Sequence, residues 1–304
     1  SVSYGMANVA NNLHRPKGEI LVVSEQFPSN VYPWKSLVKS GYKLKVVDPG
    51  TDSMQKGLKW NERILESINK ETVLVAIGHV HWADGTLFDL LSIRKRLDEV
   101  DGMLIIDGTQ SVGALPFDVS LIRPDALVCA AYKWLMGPYG IGMAYFGERF
   151  DKGNPIEQNW INRENSDNFR DLVNYQDNYL PGSLRYEVGE RSNFILLPMV
   201  KAALKEIIKW QPERIQDYCD ALTKSFIGDA QLLGFQMEIE AYRSKHLFGL
   251  RLPEGVSGEK ALKIFHQRKL SLSLRGDAIR VSPHVYNDSK DINKLMSSLR
   301  ELVN

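Results

Sequence analysis

Lys133 closes an apolar run, Ala126-Leu127-Val128-Cys129-Ala130-Ala131-Tyr132, and stands just before the turn-rich stretch Gly137-Pro138-Tyr139-Gly140-Ile141-Gly142. A short apolar run of this kind reads as a buried strand. An ammonium at the lip of such a strand is costly unless it is paired, lowered in pKa or used covalently. The plainer alternative is a lysine that snorkels to solvent. Two more apolar runs end in polar chemistry. Residues 72–77 lead into Gly78-His79-Val80-His81, and residues 103–106 lead into Asp107-Gly108-Thr109-Gln110. A carboxylate, an imidazole and an amine at the ends of three such runs are evidence for an active site. His79 and His81 have only Asp84 as a nearby carboxylate, which is thin support for a metal site.

These residues need strands to carry them. The pattern predicts strands over 19–24, 42–47, 72–77, 103–106, 126–132 and 141–146. It predicts helices over 32–40, 60–69 and 87–100, with a short helical stretch after Gly5 that stops before Pro16. Strands alternating with helices imply a mostly parallel sheet covered on both faces, with ligands beyond the carboxyl ends of its strands. His79, Asp107 and Lys133 all fall at such ends. Beyond Phe150 the chain turns irregular and aromatic-rich as far as Glu190. A helix over 193–210 then leads into a smaller α+β part. That part has helices over 212–233, 258–267 and 289–303 and strands near 236–240, 246–252, 270–274 and 278–282. The expected division is 1–192 and 193–304.

The chain has 304 residues, 43% of them hydrophobic and 25% charged, with a formal net charge of +1. That balance gives no bulk attraction to nucleic acid or to an anionic membrane. No apolar run approaches the roughly 20 residues that span a bilayer. Cys129 and Cys219 form no spaced pair, which suits a reducing, cytoplasmic setting and argues against a disulfide scaffold. The first residues lack the basic and apolar segments of a signal peptide. A nicotinamide site would need Gly-x-Gly-x-x-Gly between the first strand and helix, and the run from Gly137 to Gly142 has neither that spacing nor that place.

Asp107-Gly-Thr-Gln110-Ser-Val-Gly-Ala, followed by Ala131-Tyr132-Lys133-Trp-Leu-Met-Gly-Pro-Tyr-Gly-Ile-Gly142, resembles the class V aminotransferase family. This family comprises fold-type-I enzymes dependent on pyridoxal 5′-phosphate (PLP), among them cysteine desulfurases, kynureninase and isopenicillin N epimerase-like proteins. The resemblance runs from Gly5 to the last helix. It implies a seven-stranded-type, mostly parallel sheet with a small C-terminal α+β domain, and a homodimer with shared active sites. Lys133 would carry the cofactor as a Schiff base and shuttle the substrate's Cα proton. Asp107 would face the pyridine nitrogen and keep it protonated, so that the ring accepts electron density. Gln110 would donate to the phenolic oxygen, and His79 would stack on the ring. Gly5, Met6 and Ala7 would offer amides to the phosphate, with the Tyr132 hydroxyl as a further donor. Arg280 would hold the α-carboxylate of an amino acid through its two-pronged guanidinium, with Arg275 a weaker candidate and His81 a neighbour on the substrate side.

The chain departs from the family pattern in places. Ala130 replaces the serine or threonine often found before the lysine. Glu190 follows Gly189 where relatives reach the partner subunit's phosphate with Gly-Thr, so Ser192 or Asn193 would substitute. The chain starts almost at the phosphate-binding stretch, so the N-terminal part of the first domain is expected to be missing. No cysteine lies between Leu252 and Arg280, where a desulfurase carries its nucleophile. The reading is therefore a PLP-dependent aminotransferase acting on an amino acid. A β-lyase or epimerase of the same fold, or a non-catalytic scaffold, stands as the alternative.

Overall fold

The structure is a computed structural model that describes residues 1–13, 15–50 and 55–304. In chain order, helix α1 (Val2–Ala10) precedes strand β1 (Gly18–Val23), helix α2 (Tyr32–Ser36) and strand β2 (Tyr42–Val47). Helix α3 (Lys56–Ser67), strand β3 (Thr72–Gly78), helix α4 (Leu90–Asp98) and strand β4 (Met103–Asp107) follow. Next come helix α5 (Val119–Ile122), strand β5 (Ala126–Ala130) and strand β6 (Gly142–Phe146). The strands form one sheet in the order β2-β1-β3-β4-β5-β6. All neighbours are parallel except β5 and β6, whose pairing is antiparallel. Among the described residues the sheet thus has six strands, one fewer than the seven-stranded type expected.

Each central strand is apolar on both faces, because helices cover both. Val73 to Ile77 of β3 and Met103 to Ile106 of β4 are buried throughout. One face packs Trp60, Ile64, Ile93 and Leu97 against Leu104 and Ile106, and the other packs Met6, Val9 and Trp34 against Ile20 and Ile105. The caps explain the edges that periodicity placed too generously. The helix expected over 87–100 begins at Leu90 because Asp89 caps it, its side chain accepting from Ser92 N. The helix expected over 32–40 is α-helical only as far as Ser36, then tightens into a 3-10 turn ending at Gly41 in the left-handed region.

Residues 151–195 carry no strand. They are held by side chains such as Asn162, whose amide donates to Arg185 O and Glu187 O. Helix α6 (Leu196–Trp210) and helix α7 (Pro212–Leu232) lead to strand β7 (Phe248–Arg251), helix α8 (Gly258–Gln267), strand β8 (Ser273–Arg275), strand β9 (Ala278–Val281) and helix α9 (Ser289–Val303). These three strands form an antiparallel sheet in the order β7-β9-β8. It has its own core, with Phe226, Phe235, Phe248, Phe265 and Leu299 among its buried members. The strand expected near 236–240 is a single bridge from Gln236 to Arg251, and the one expected over 270–274 is pushed to Ser273–Arg275.

Candidate active site

The carboxyl ends of β3 and β4 are level, with Gly78 the register partner of Asp107. A small cleft opens beyond them, lined by Gln26, Phe27, Val80, His81, Asp107 and Gln110 among others. Asp107 ends β4 and caps the 3-10 turn Gly108–Gln110, its Oδ1 accepting from Thr109 N at 3.0 Å. Enclosure raises the pKa of its carboxyl, against the opposing pull of Thr109 and of the Lys133 charge. Lys133 follows β5 by one turn. Burial lowers the pKa of its ammonium; Asp107 opposes that shift, while Arg280 and Arg275 add to it. The ammonium lies 5.5 Å from the Phe27 ring centre and 5.7 Å from that of Tyr132. Asp107, Lys133, Arg280 and Arg275 therefore share one electrostatic neighbourhood, although they come from both sheets.

Arg280 reaches this neighbourhood from β9. Its Nη1 donates to Trp82 O at 3.0 Å, and Arg275 lies 5.6 Å over the Trp82 indole. The loop carrying Trp82 is fixed by a buried carboxylate. Asp84 Oδ1 accepts from His81 Nδ1 at 2.9 Å, from Thr86 N at 3.1 Å and from the Thr86 hydroxyl at 2.9 Å, and Lys56 stands 3.3 Å from Oδ2. Burial works against the charge, but His81, Lys56 and Thr86 outweigh it and hold the carboxyl well below the usual carboxylate range. Gly85 has a φ of +75°, and a Cβ there would sit 2.0 Å from Leu247 O. Only glycine lets this loop press so closely on the C-terminal part.

Several predicted residues take other places. His79 does not line the cleft with Asp107. Its ring meets Phe117 edge-on at 5.6 Å and borders a separate groove with Phe88 and Leu121, and burial pushes its pKa down to about 4. His81 lines the cleft, but both ring nitrogens are engaged, by Asp84 and by Glu25 O at 3.2 Å. It holds the loop. Gly5, Met6 and Ala7 lie inside α1, not in a turn ahead of it. Ser1 already caps this helix through Tyr4 N, and Gly5 N donates to Ser1 O at 3.2 Å, so these amides are spent within the helix. Tyr132 is exposed, its ring 4.5 Å from that of Tyr139. Gln110 is buried, and its Oε1 accepts from Trp134 Nε1 at 2.9 Å.

Sequence reasoning missed Phe27, Trp82 and Trp134. Phe27 was findable, since it follows the carboxyl end of β1, where the parallel-sheet rule looks for ligand contacts. Trp82 and Trp134 adjoin residues that were singled out, yet nothing in their type marked them as more than core.

The fold is that of the fold-type-I PLP-dependent enzymes. It aligns with a cystine C–S lyase, C-DES, in complex with its product cysteine persulfide, at a TM-score of 0.85 and 19% identity over 99% of this chain and 80% of that one. The chain belongs to the aminotransferase class-V family, whose model matches residues 3–158 and whose members depend on PLP. It is 24% identical to the uncharacterized aminotransferase YcbU of Bacillus subtilis (strain 168), over 98% of this chain and 76% of that protein. It is 31% identical to a probable cysteine desulfurase of Pyrococcus abyssi (strain GE5 / Orsay) over 140 residues, which is 46% of this chain and only 34% of that protein.

The chemistry of the residues at the ring end suits PLP. Burial makes an unpaired Asp107 carboxylate costly, which a pyridinium N–H would offset, and burial disfavours the charged form of Lys133, whose amine would take the carbonyl carbon. The phosphate end fits less fully, because the amides of Gly5, Met6 and Ala7 are committed to α1.

Proposed function

We propose that this chain binds PLP through Lys133 and acts on an amino acid as an aminotransferase. The observation that carries the reading is that the buried carboxyl of Asp107 and the half-buried amine of Lys133 act on each other electrostatically at the carboxyl ends of the strands: an ionised carboxylate would pair with a pyridinium N–H, and a neutral amine would take a carbonyl carbon. When bound, PLP supplies an electron sink for the bond broken at the substrate's α-carbon. Asp107 binds the ring nitrogen and holds its proton, and Gln110 orients the ring edge. The Lys133 amine, once released by substrate, moves the Cα proton. Arg280, half-buried beside Trp82, orients the substrate carboxylate. His79, its pKa pushed down to about 4, stays neutral at physiological pH and would have to turn its ring to stack on the cofactor.

A β-lyase is the second reading, and the resemblance to the C–S lyase fold is what favours it. A persulfide-carrying desulfurase has less support, because both thiols are buried. We also propose the division into 1–192 and 193–304, and a homodimer in the cytoplasm. Edge strand β6 and helix α6 leave Met143, Tyr145, Leu197 and Met199 exposed, an apolar surface that a second copy would cover. Among the described residues no helix is long and apolar enough to cross a membrane.

The test is reconstitution. Wild-type protein mixed with PLP should gain a visible band, and borohydride should fix the cofactor on the peptide holding Lys133, while Lys133→Ala stays unlabelled. An amino-acid screen then separates the reactions: keto acid with an aminated cofactor means transfer, and pyruvate with ammonia means elimination. A wild-type protein that stays colourless would refute the assignment.

A further inference from the structure

Gln110 is gripped from both of its ends. On the side-chain end, Trp134 Nε1 donates to Oε1 at 2.9 Å. On the backbone end, His246 Nε2 lies 2.7 Å from Gln110 O, a carbonyl that can only accept, so Nε2 carries the hydrogen. The other ring nitrogen, Nδ1, then accepts from Gln216 Nε2 at 2.9 Å. Gln216 is itself fixed, for its Nε2 also donates to Ala114 O at 2.7 Å and its Oε1 accepts from Lys245 N at 3.1 Å. Each partner thus specifies the next, and the imidazole tautomer needs no further assumption. Trp134 and His246 also lock each other, their rings meeting at 4.5 Å and 89°. Both are buried, and His246 comes from the C-terminal part of the chain.

This arrangement has a chemical consequence. A glutamine amide has an acceptor end and a donor end of nearly equal shape, and it can offer either to a neighbour. An indole N–H can only donate. With Oε1 turned to Trp134, the NH2 end is left for the cleft that Gln110 lines with Asp107. We propose that Trp134 is a positioning residue that fixes the Gln110 amide with its NH2 end toward the cleft, and that His246 steadies the Trp134 ring and the Gln110 backbone, so that the C-terminal part of the chain helps set how the cofactor's ring edge is held. This rests on the assignment of PLP to Lys133. Without the indole N–H, the flipped amide would set a carbonyl oxygen toward the ring's anionic oxygen.

The test uses full-length protein loaded with PLP, and reads the pH midpoint of the cofactor's visible band. Trp134→Phe keeps an aromatic ring and removes the donor. Its midpoint should rise by about half a unit or more, the scale of one hydrogen bond to a charged group, with the band still present. In a Gln110→Leu background the same change should add nothing further, because Trp134 acts through Gln110. A second measurement avoids reliance on the folding of Trp134→Phe. The Trp134 indole proton of the wild type should exchange with solvent at least about tenfold more slowly than in Gln110→Leu, as a lost hydrogen bond predicts. An unshifted midpoint, additive shifts in the double variant, or equal exchange in the two proteins would overturn the inference. A wild type that takes up no PLP would overturn the Lys133 assignment and this inference with it, and is told apart by the missing band.

Discussion

Arg280 and Trp82 join the two sheets at the cleft. The guanidinium of β9 donates to the carbonyl that follows β3, at 3.0 Å, and Arg275 leans over the same indole. Two guanidiniums held this near each other repel, and the proximity of Arg275 adds to the lowering of the Arg280 pKa that burial begins. An anion beside them relieves that repulsion. Arg280→Lys keeps the charge and loses the flat fork, so the KM for an amino acid should rise about tenfold or more while PLP uptake is unchanged. Initial rates on the reconstituted variant give the answer, and an unchanged KM would move the carboxylate site elsewhere.

Gly5 also has a steric job. A Cβ there would lie 2.6 Å from Val128 Cγ1 and 2.7 Å from Cγ2, so glycine allows α1 to sit directly on β5, the strand that delivers Lys133. Gly5→Ala should cost about 1–3 kcal/mol, the usual penalty for overpacking a filled core. Adding Val128→Ala should recover at least about 0.5 kcal/mol of it, as coupled neighbours do. Urea unfolding of the two single variants and the double variant measures both figures.

The parallel sheet was legible because its central strands are apolar without interruption and end in polar residues that a buried strand would not tolerate. Asp107, Gln110, Lys133 and Arg280 were singled out the same way, or by the resemblance, and they lie in the cleft or in its electrostatic neighbourhood. What stayed hidden depends on direction rather than composition. His79 and His81 sit two apart, yet one borders a groove with Phe117 and the other is consumed by Asp84. No pattern of residue types states which way such a side chain turns. Gly5 was expected just ahead of a helix, but it lies inside α1, and the demand for glycine comes from Val128, which is distant in sequence. The grip of His246 on Gln110 spans 136 positions and leaves no local trace.

His246 makes the fold acid-sensitive. Desolvation first, and then the charges of His284 and His79, push its pKa down to about 4, against the opposing effect of Gln110 O. The folded pKa is depressed, so the unfolded chain binds the extra proton. Stability is full above about pH 6.5 and falls as pH drops toward 4, a swing on the order of 3 kcal/mol for this one residue. Melting temperature should therefore decline over that window. His246→Asn should be less stable at neutral pH but flatter in its pH dependence, and an equally steep decline in the variant would assign the effect to other groups.

The cysteines bear on the choice between reactions. A thiol that carries sulfur must reach solvent as thiolate. Burial, with the charge of Asp107 adding to it, pushes Cys129 up to about 12, and burial alone does the same to Cys219, whose Sγ donates to Pro283 O at 3.5 Å. Neither is a nucleophile at neutral pH. A water-soluble maleimide should leave both thiols unmodified for minutes in the native protein and label both at once in urea. Cys219→Ala should keep turnover within about twofold while losing roughly 1–2 kcal/mol of stability through the small cavity it leaves. Fast labelling of the native protein, with turnover lost in step, would restore a persulfide route and displace amino-group transfer as the leading reaction.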